Sequence, residues 1–170
     1  MPSLALTIAP LSKAAFAPFG DVVEMEGARH FTINEGHAER YHDLARIDVA
    51  RENGRPVVSM FRATPWVLPL KISLMERHPI SSQAFIPMGA APFLVIVAAA
   101  ATPPRPEDLR AFRTNGRQGI NFAPGTWHHP LLALVPGDFL VIDRTGPGPG
   151  HDQDCDEIPF GQFDVWIGSD

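Results

Sequence analysis

This chain has little cysteine: Cys155 is the single one among 170 residues, which excludes a disulfide within the chain. Its two neighbours, Asp154 and Asp156, are acidic and are expected to raise the pKa of the thiol, because a nearby negative charge disfavours the thiolate. We therefore expect an unreactive thiol in a reducing compartment.

Clusters of basic residues are also missing, and the formal net charge is −5. Binding to nucleic acid or to a membrane surface is not expected of such a chain. The longest apolar run, Phe93 to Ala101, is too short to span a bilayer, and no segment near the first residue has the pattern of a secretion signal. We expect a cytoplasmic protein whose partners are small molecules.

Several catalytic and binding motifs are absent from the sequence. There is no glycine-rich phosphate loop, no Gly-x-Ser-x-Gly elbow and no Cys-x-x-Cys pair. Nucleotide use, serine hydrolysis and structural zinc therefore have no support in the sequence.

Proline and glycine, by contrast, are abundant, with 18 and 14 residues placed between short apolar runs. This punctuation is typical of an all-β sandwich or barrel, and the length fits one domain over residues 1–170. A short helix is predicted over Lys13 to Phe19, with Ser12 as its N-cap and Gly20 at its end. Among the predicted strands are Leu44 to Val49 and Phe93 to Ala98.

Two of the predicted strands, Phe93 to Ala98 and Leu70 to His78, indicate where a pocket lies. Phe93 to Ala98 is apolar on both faces, so it is expected to lie between the pocket and a covering layer, such as a subunit interface. In the strand predicted over Leu70 to His78, alternate side chains share one face. That face passes from aliphatic residues to Glu76 and His78. Charged side chains are rarely buried unless they are paired or functional, so this face predicts a pocket wall.

A second segment of the chain, Phe122 to Pro130, is expected to reach the same pocket. Pro124 and Gly125 set a tight turn, because proline fixes φ and glycine accepts a positive φ. A strand follows, and its first pocket-facing residue is predicted to be His128.

Glu76, His78, Gln83 and His128 together form the predicted reaction centre. Imidazole and carboxylate donors suit a divalent transition ion, with the neutral amide as a weak fourth ligand. Without an ion, His128 or His78 is a candidate general base, and Glu76 is its orienting partner or the acid. A buried Glu–His pair with no turnover is the structural alternative.

Two arginines at predicted strand ends, Arg62 and Arg144, are candidate clamps for a carboxylate, since guanidinium binds carboxylate through two parallel hydrogen bonds. A surface ion pair is the alternative for each of them. Asn121 is a further candidate for the pocket. Three other histidines, His30, His37 and His151, have no chemical partners in the sequence and are expected to be exposed.

With these residues in view, the chain resembles the ureidoglycolate lyase family over most of residues 1–144. The motifs that carry the resemblance are Pro10-Leu11-Ser12, Phe19-Gly20-Asp21-Val22, Arg40-Tyr41-His42-Asp43-Leu44, Glu76-Arg77-His78-Pro79, Gln83-Ala84-Phe85-Ile86-Pro87-Met88, Phe112 with Thr114-Asn115-Gly116, Gln118-Gly119-Ile120-Asn121, Trp127-His128-His129-Pro130-Leu131 and Ile142-Asp143-Arg144. The segment after Gly146 matches less well.

The resemblance implies a cupin-like β-barrel, that is, a double-stranded β-helix with one or two short helices. It also implies a cytoplasmic homodimer that cleaves (S)-ureidoglycolate into glyoxylate and urea, with nickel as the expected ion if one is bound. In such an enzyme His128 or His78 would be the base, Glu76 with the other histidine the proton donor or orienting pair, and Arg62 or Arg144 the carboxylate clamp. Gln83 would contact the ureido group. The alternatives are a metal-dependent cupin isomerase or dioxygenase and a non-catalytic small-molecule binding domain.

Overall fold

Short strands make up most of the fold in the computed structural model, which describes residues 3–99, 102–149 and 154–168. This confirms the all-β prediction. Among these described residues there is one α-helix, α1 (Lys13–Phe16), and there are three short 3₁₀ segments, Asn34–Gly36, Arg51–Asn53 and Pro106–Asp108. The strands in chain order are β1 (Leu4–Leu6), β2 (Ile8–Pro10), β3 (Gly20–Val23), β4 (His30–Ile33), β5 (Ala38–Tyr41), β6 (Arg55–Ala63), β7 (Leu70–Lys71), β8 (Leu74–Arg77), β9 (Gln83–Pro87), β10 (Phe93–Ala98), β11 (Arg110–Arg113), β12 (Gly119–Phe122), β13 (Trp127–His128), β14 (Leu132–Ala133), β15 (Gly137–Thr145), β16 (Asp156–Pro159) and β17 (Val165–Ile167).

Two large sheets, consistent with a cupin-like β fold, contain most of the strands. One has the order β3-β12-β9-β15-β6, and the other has the order β16-β8-β13-β10-β11-β2, with β14 also paired to β10. Apolar side chains of both sheets meet in one core cluster, for example Phe85 and Val141 from the first sheet and Val95 and Phe112 from the second. A smaller sheet, β1-β17-β7, and the hairpin β4-β5 complete the fold.

Strand β10 is buried on both faces, as its sequence predicted. Val95 and Val97 pack into the core between the two large sheets. Ile96 belongs to a second cluster, which includes Val165 and Ile167 of the smaller sheet. The layer that covers the second face of β10 is therefore part of the same chain.

The strand predicted over Leu44 to Val49 was wrong, because this segment pairs with no strand. Its backbone bonds to side chains of the first sheet and its connections instead. The Arg46 N–H donates to Asp21 Oδ2 at 3.0 Å, and the Asp48 N–H donates to Ser82 Oγ at 2.8 Å. An apolar alternation that looked like a strand therefore forms a crossing segment.

The single strand predicted over Leu70 to His78 was also wrong. The chain leaves the smaller sheet after β7 and joins the second large sheet at β8, so the pairing breaks at Ile72 and Ser73. Ile72 and Met75 are fully buried in the second cluster, while Glu76 lines the cavity described below. The change of sheet is why alternation through the whole segment did not predict one common face.

The predicted helix is shorter than expected. Ser12 caps it as predicted, accepting a hydrogen bond from the Ala15 N–H at 3.2 Å, but the helix ends at Phe16 and not at Phe19. The hairpin β4-β5 and strand β16 were not predicted. Within the described ranges, no helix has the length and apolar character needed to cross a membrane.

We expect Met75→Ala to lower the free energy of unfolding by about 2–5 kcal/mol, because it leaves a cavity in the second cluster. Met25→Ala is the matched control, since Met25 is 60% exposed and its truncation should change stability by less than about 0.5 kcal/mol. Urea unfolding measures both. Equal losses in the two variants would contradict the buried position of Met75.

Candidate active site

The pairing of β13 with β8 brings the two predicted segments together. In this antiparallel pair, His128 is the partner of Glu76. The turn before β13 adds a second contact between the two segments, because the Gly125 N–H donates to the main-chain oxygen of His78 at 2.7 Å. Gly125 has a φ of 78°, which glycine adopts without the penalty of a side chain. The predicted Pro-Gly turn thus holds both histidine segments at one place.

Glu76, His78 and His128 form a compact cluster at this point. One potential ligand atom of each lies within 4.8 Å of the others, and the two imidazole rings are 5.5 Å apart between centroids. His128 Nε2 lies 3.3 Å from Glu76 Oε1. These two atoms are within ion-pair distance, yet their geometry does not meet that of a hydrogen bond, and His128 Nε2 has no hydrogen-bond partner among the described residues.

Main-chain carbonyl groups fix the orientation of both rings. His128 Nδ1 lies 3.0 Å from the oxygen of Thr126, and His78 Nδ1 lies 2.6 Å from the oxygen of Asp154. A carbonyl oxygen can only accept, so each Nδ1 carries a proton and each Nε2 is directed elsewhere. Phe122 stacks on the His128 ring at 4.1 Å and 12°, which holds the ring in its plane.

The electrostatic environment keeps Glu76 ionised. Burial on its own would raise the pKa of Glu76, but the interaction with His128 and the charges of His128, His78 and His129 lower it overall. The pKa of His129 is also lowered, in this case chiefly by burial, which disfavours the charged imidazole. His129 Nδ1 donates to the oxygen of Pro130 at 2.8 Å. Burial therefore disfavours the protonated form of His129.

Gln83 is buried and lies between His78 and an acidic residue. Its Oε1 is 3.1 Å from His78 Nε2, and its Nε2 is 3.4 Å from Asp143 Oδ2. In this orientation the amide donates to the Asp143 carboxylate and accepts from His78 Nε2–H. Both ring nitrogens of His78 therefore face acceptor oxygens, so the protonated ring can donate from either nitrogen.

Of the two predicted clamps, Arg144 lines the cavity beside this cluster. Its Nε and Nη2 donate to the main-chain oxygen of Arg51 at 3.1 and 3.0 Å, and Nη2 also donates to that of Glu52 at 3.2 Å. Glycines flank the guanidinium, because a Cβ added at Gly54 would lie 2.3 Å from Nε and one at Gly146 would lie 3.1 Å from Nη1. The guanidinium is therefore held in a fixed position.

Arg62 is not brought to the cluster. It pairs with Asp138 through two hydrogen bonds of 2.9 and 3.1 Å, and its side chain is 87% exposed. Side chains alternate along β6, and its cavity-lining residues include Ser59 and Phe61, so Arg62 points to the other side of the sheet. The surface ion pair was the correct interpretation of Arg62.

Asn121 does not line the cavity either. It is buried, and its Nδ2 donates to Asp21 Oδ2 at 3.0 Å and to the oxygen of Arg46 at 2.8 Å. Its role in the structure is to hold the crossing segment after β5 against the sheet.

The exposed histidines agree in part with expectation. His30 and His37 are exposed, as predicted, but His30 also lies 3.3 Å from Glu39 and stacks on Tyr41. His151 lies outside the described residues.

The cavity around the cluster has a volume of about 950 Å³, and several of its residues were missed. They are Arg55, Ser59, Ser81, Asp143, Asp154, Cys155 and Glu157. The last three belong to an acidic segment with no apolar alternation, so no signal in the sequence pointed to them. The pKa of Cys155 is raised to about 11, first by burial and then by Glu76, Glu157 and its acidic neighbours, as the sequence predicted in direction.

Comparison with known proteins gives one consistent result. The model of the ureidoglycolate lyase family matches residues 3–167. A ureidoglycolate lyase from Burkholderia cepacia is 56% identical over 91% of this chain and 86% of its own length. Those from Azotobacter vinelandii and Pseudomonas syringae are 52% and 48% identical, covering 92% and 95% of this chain and 93% and 94% of their own lengths. The chain belongs to the ureidoglycolate lyase family.

Proposed function

We propose that this protein is a lyase that cleaves (S)-ureidoglycolate into glyoxylate and urea. The observation that carries the proposal is the cluster of Glu76, His78 and the buried His128, beside a cavity that Glu76, His78 and Arg144 line. Acid–base groups and a fixed cation are the two things that this substrate, a hydroxy acid with a ureido group, requires. Among the described residues, nothing favours an isomerase, a dioxygenase or a non-catalytic binding domain over this function.

The reaction needs one proton to move from oxygen to nitrogen. When a base removes the hydroxyl proton, the O–H electron pair forms the aldehyde C=O bond of glyoxylate. The C–N bond breaks, its electron pair goes to the urea nitrogen, and that nitrogen receives a proton. No net proton is consumed, so one base and one acid are sufficient.

His128 is the base in this proposal and His78 is the acid. The Nδ1–H of His128 donates to the Thr126 carbonyl, which leaves the Nε2 lone pair directed into the cluster. The ionised Glu76, with its Oε1 3.3 Å from that nitrogen, stabilises the imidazolium that forms. His78, held by Gln83 and by the Asp154 carbonyl, donates the proton to the leaving nitrogen. Gln83 thus positions His78 and does not need to contact the ureido group.

A divalent metal ion remains part of the proposal, with nickel as the expected ion from the resemblance. Glu76, His78 and His128 would hold it. The donor set fits at His128, whose Nε2 is buried without a hydrogen-bond partner among the described residues while its Nδ1 binds a carbonyl. Metal-binding histidines typically have this arrangement. His78 would have to give up the Nε2 hydrogen bond to Gln83 to bind the ion. The chemistry that such an ion supplies when bound is Lewis-acid polarisation of the substrate hydroxyl and carboxylate.

The proposal includes two further properties, the cellular location and the oligomeric state. We propose that the enzyme is cytoplasmic, where a lone thiol such as Cys155 stays reduced. We also propose that it is a homodimer that associates through the outer face of β6. Val58 and Met60 are 67% and 56% exposed there, on a side of an antiparallel sheet that normally carries polar residues when it faces water.

The same outer face has few charges. Leu140 and Ile142 of β15 lie beside Met60 and Val58 in the register, and the nearby Arg62 and Asp138 neutralise each other. Because each copy carries a net charge of −5, a face without unpaired charge is where two copies repel least.

The lyase proposal predicts that the purified protein releases glyoxylate from racemic ureidoglycolate and that His128→Ala lowers kcat by about 10²–10⁴-fold. His37→Ala, which alters an exposed histidine, is the control and should be unaffected. Adding a chelator separates metal-dependent from side-chain catalysis. No glyoxylate from the unmodified protein contradicts the function, and near-normal activity of a folded His128→Ala removes that residue from the mechanism.

The clamp proposal predicts that Arg144→Ala raises KM by roughly 10- to 100-fold, since charge-assisted hydrogen bonds contribute about 1.5–3 kcal/mol. The effect on kcat should be smaller if the carboxylate is bound alike in ground and transition states. Arg62→Ala is the matched control and should leave KM within about twofold. Steady-state kinetics distinguish them. An equal rise of KM in both variants would reject Arg144 as the clamp.

The dimer proposal predicts that sedimentation equilibrium of the unmodified protein gives twice the chain mass of 18.6 kDa. Met60→Lys should give the monomer mass, because it places a charge inside the contact. Val67→Lys is the control, since Val67 is 84% exposed and lies outside β6. A monomeric unmodified protein, or a dimer that Met60→Lys leaves intact, would be evidence against this interface.

A further inference from the structure

Three hydrogen bonds converge on Asp154, a residue that was not predicted to belong to the site. Asp154 is 6% exposed. Its Oδ1 accepts from the Ile80 N–H at 2.9 Å, and its Oδ2 accepts from the Ser81 hydroxyl at 2.5 Å. Its main-chain oxygen lies 2.6 Å from His78 Nδ1. All three partners belong to the connection between β8 and β9.

His78 needs such support because it lies just beyond the end of β8. No strand pairing of its own fixes the side chain there. The carbonyl of Asp154 accepts from Nδ1–H and therefore directs Nε2 toward Gln83 and the cluster.

The carboxylate of Asp154 holds that carbonyl in place. The pairing of β16 with β8 begins only at Asp156, which is opposite Arg77. At the level of His78, the acidic segment is tied to the connection by the two carboxylate bonds to Ile80 and Ser81. Ser81 is itself buried, so a lost bond at this point is not readily replaced by water.

We propose that Asp154 is a positioning residue for catalysis: its carboxylate clamps the β8–β9 connection so that its own carbonyl fixes the orientation of His78 and, in the neutral ring, keeps the proton on Nδ1. This proposal rests on the role proposed above for His78 in the lyase reaction.

The test compares Asp154→Ala, Asp154→Asn and the control Asp156→Ala in two measurements. Asp154→Ala should lower kcat by about 10- to 100-fold, as is typical when a partner that orients a functional histidine is lost, and leave KM within about threefold. Asp154→Asn should recover most of kcat, because its amide still accepts from Ile80 and can donate to Ser81. Asp156→Ala removes a carboxylate that binds Arg77 and should leave kcat unchanged.

The second measurement is ¹⁵N NMR of the His78 ring at about pH 9, where an ordinary imidazole is neutral. We expect the proton on Nδ1 in the unmodified protein and in Asp156→Ala, and a mixture of tautomers in Asp154→Ala. If Asp154→Ala does not fold, Ser81→Ala removes one of the two clamps and should shift both measurements in the same direction by less.

An Asp154→Ala variant with unchanged kcat, or with reduced kcat and an unchanged His78 ring spectrum, would overturn the proposal. Because the ring spectrum does not depend on turnover, it tests the positioning of His78 even if ureidoglycolate proves not to be the substrate.

Discussion

The site depends on the register of β13 against β8, in which His128 is the partner of Glu76. Directly opposed residues in an antiparallel pair have their side chains on the same face, and a slip by one residue would turn His128 to the other side of the sheet. The Gly125–His78 hydrogen bond lies next to this pair and sets the same register. A pairing of only a few residues therefore decides whether the two imidazoles meet in one cluster with Glu76.

Once the register is set, main-chain carbonyl groups orient several of the side chains of the site. The carbonyls of Thr126 and Asp154 orient the two rings, and those of Arg51 and Glu52 hold the Arg144 guanidinium. Such contacts leave the reactive edges of these side chains toward the cavity. Glu76 is the exception, because its ionised state depends on the balance between its burial and the neighbouring histidines.

The parts of this site that the sequence predicted are those with a local signal. The Pro-Gly turn before His128 and the acidic end of the segment that leads to His78 pointed to one cavity, and the structure brings them together. The break between β7 and β8 had no such signal, because the apolar alternation continues through a change of sheet. Arg62 and Arg144 looked equivalent as strand ends, and only their contacts in the folded chain separate them: Arg62 pairs with Asp138 at the surface, whereas Arg144 is buried and lines the cavity.

Other features could not be predicted from the sequence for a different reason. Asp154 acts through its main-chain oxygen as well as its side chain, and it is more than 70 positions from its partners in the chain. Every residue type has a main-chain carbonyl oxygen, so a contact made by that oxygen cannot be predicted from the residue type. Strand β16, which carries the acidic segment along β8, is recognisable only after the sheet is known.

A double-mutant cycle between Glu76 and His128 tests most directly whether the register makes them one catalytic unit. It requires kcat/KM of the unmodified protein, Glu76→Ala, His128→Ala and the double variant. If the pair acts together, the double variant should lose about as much activity as His128→Ala alone. Losses that multiply would show that the two residues work independently and would contradict the account.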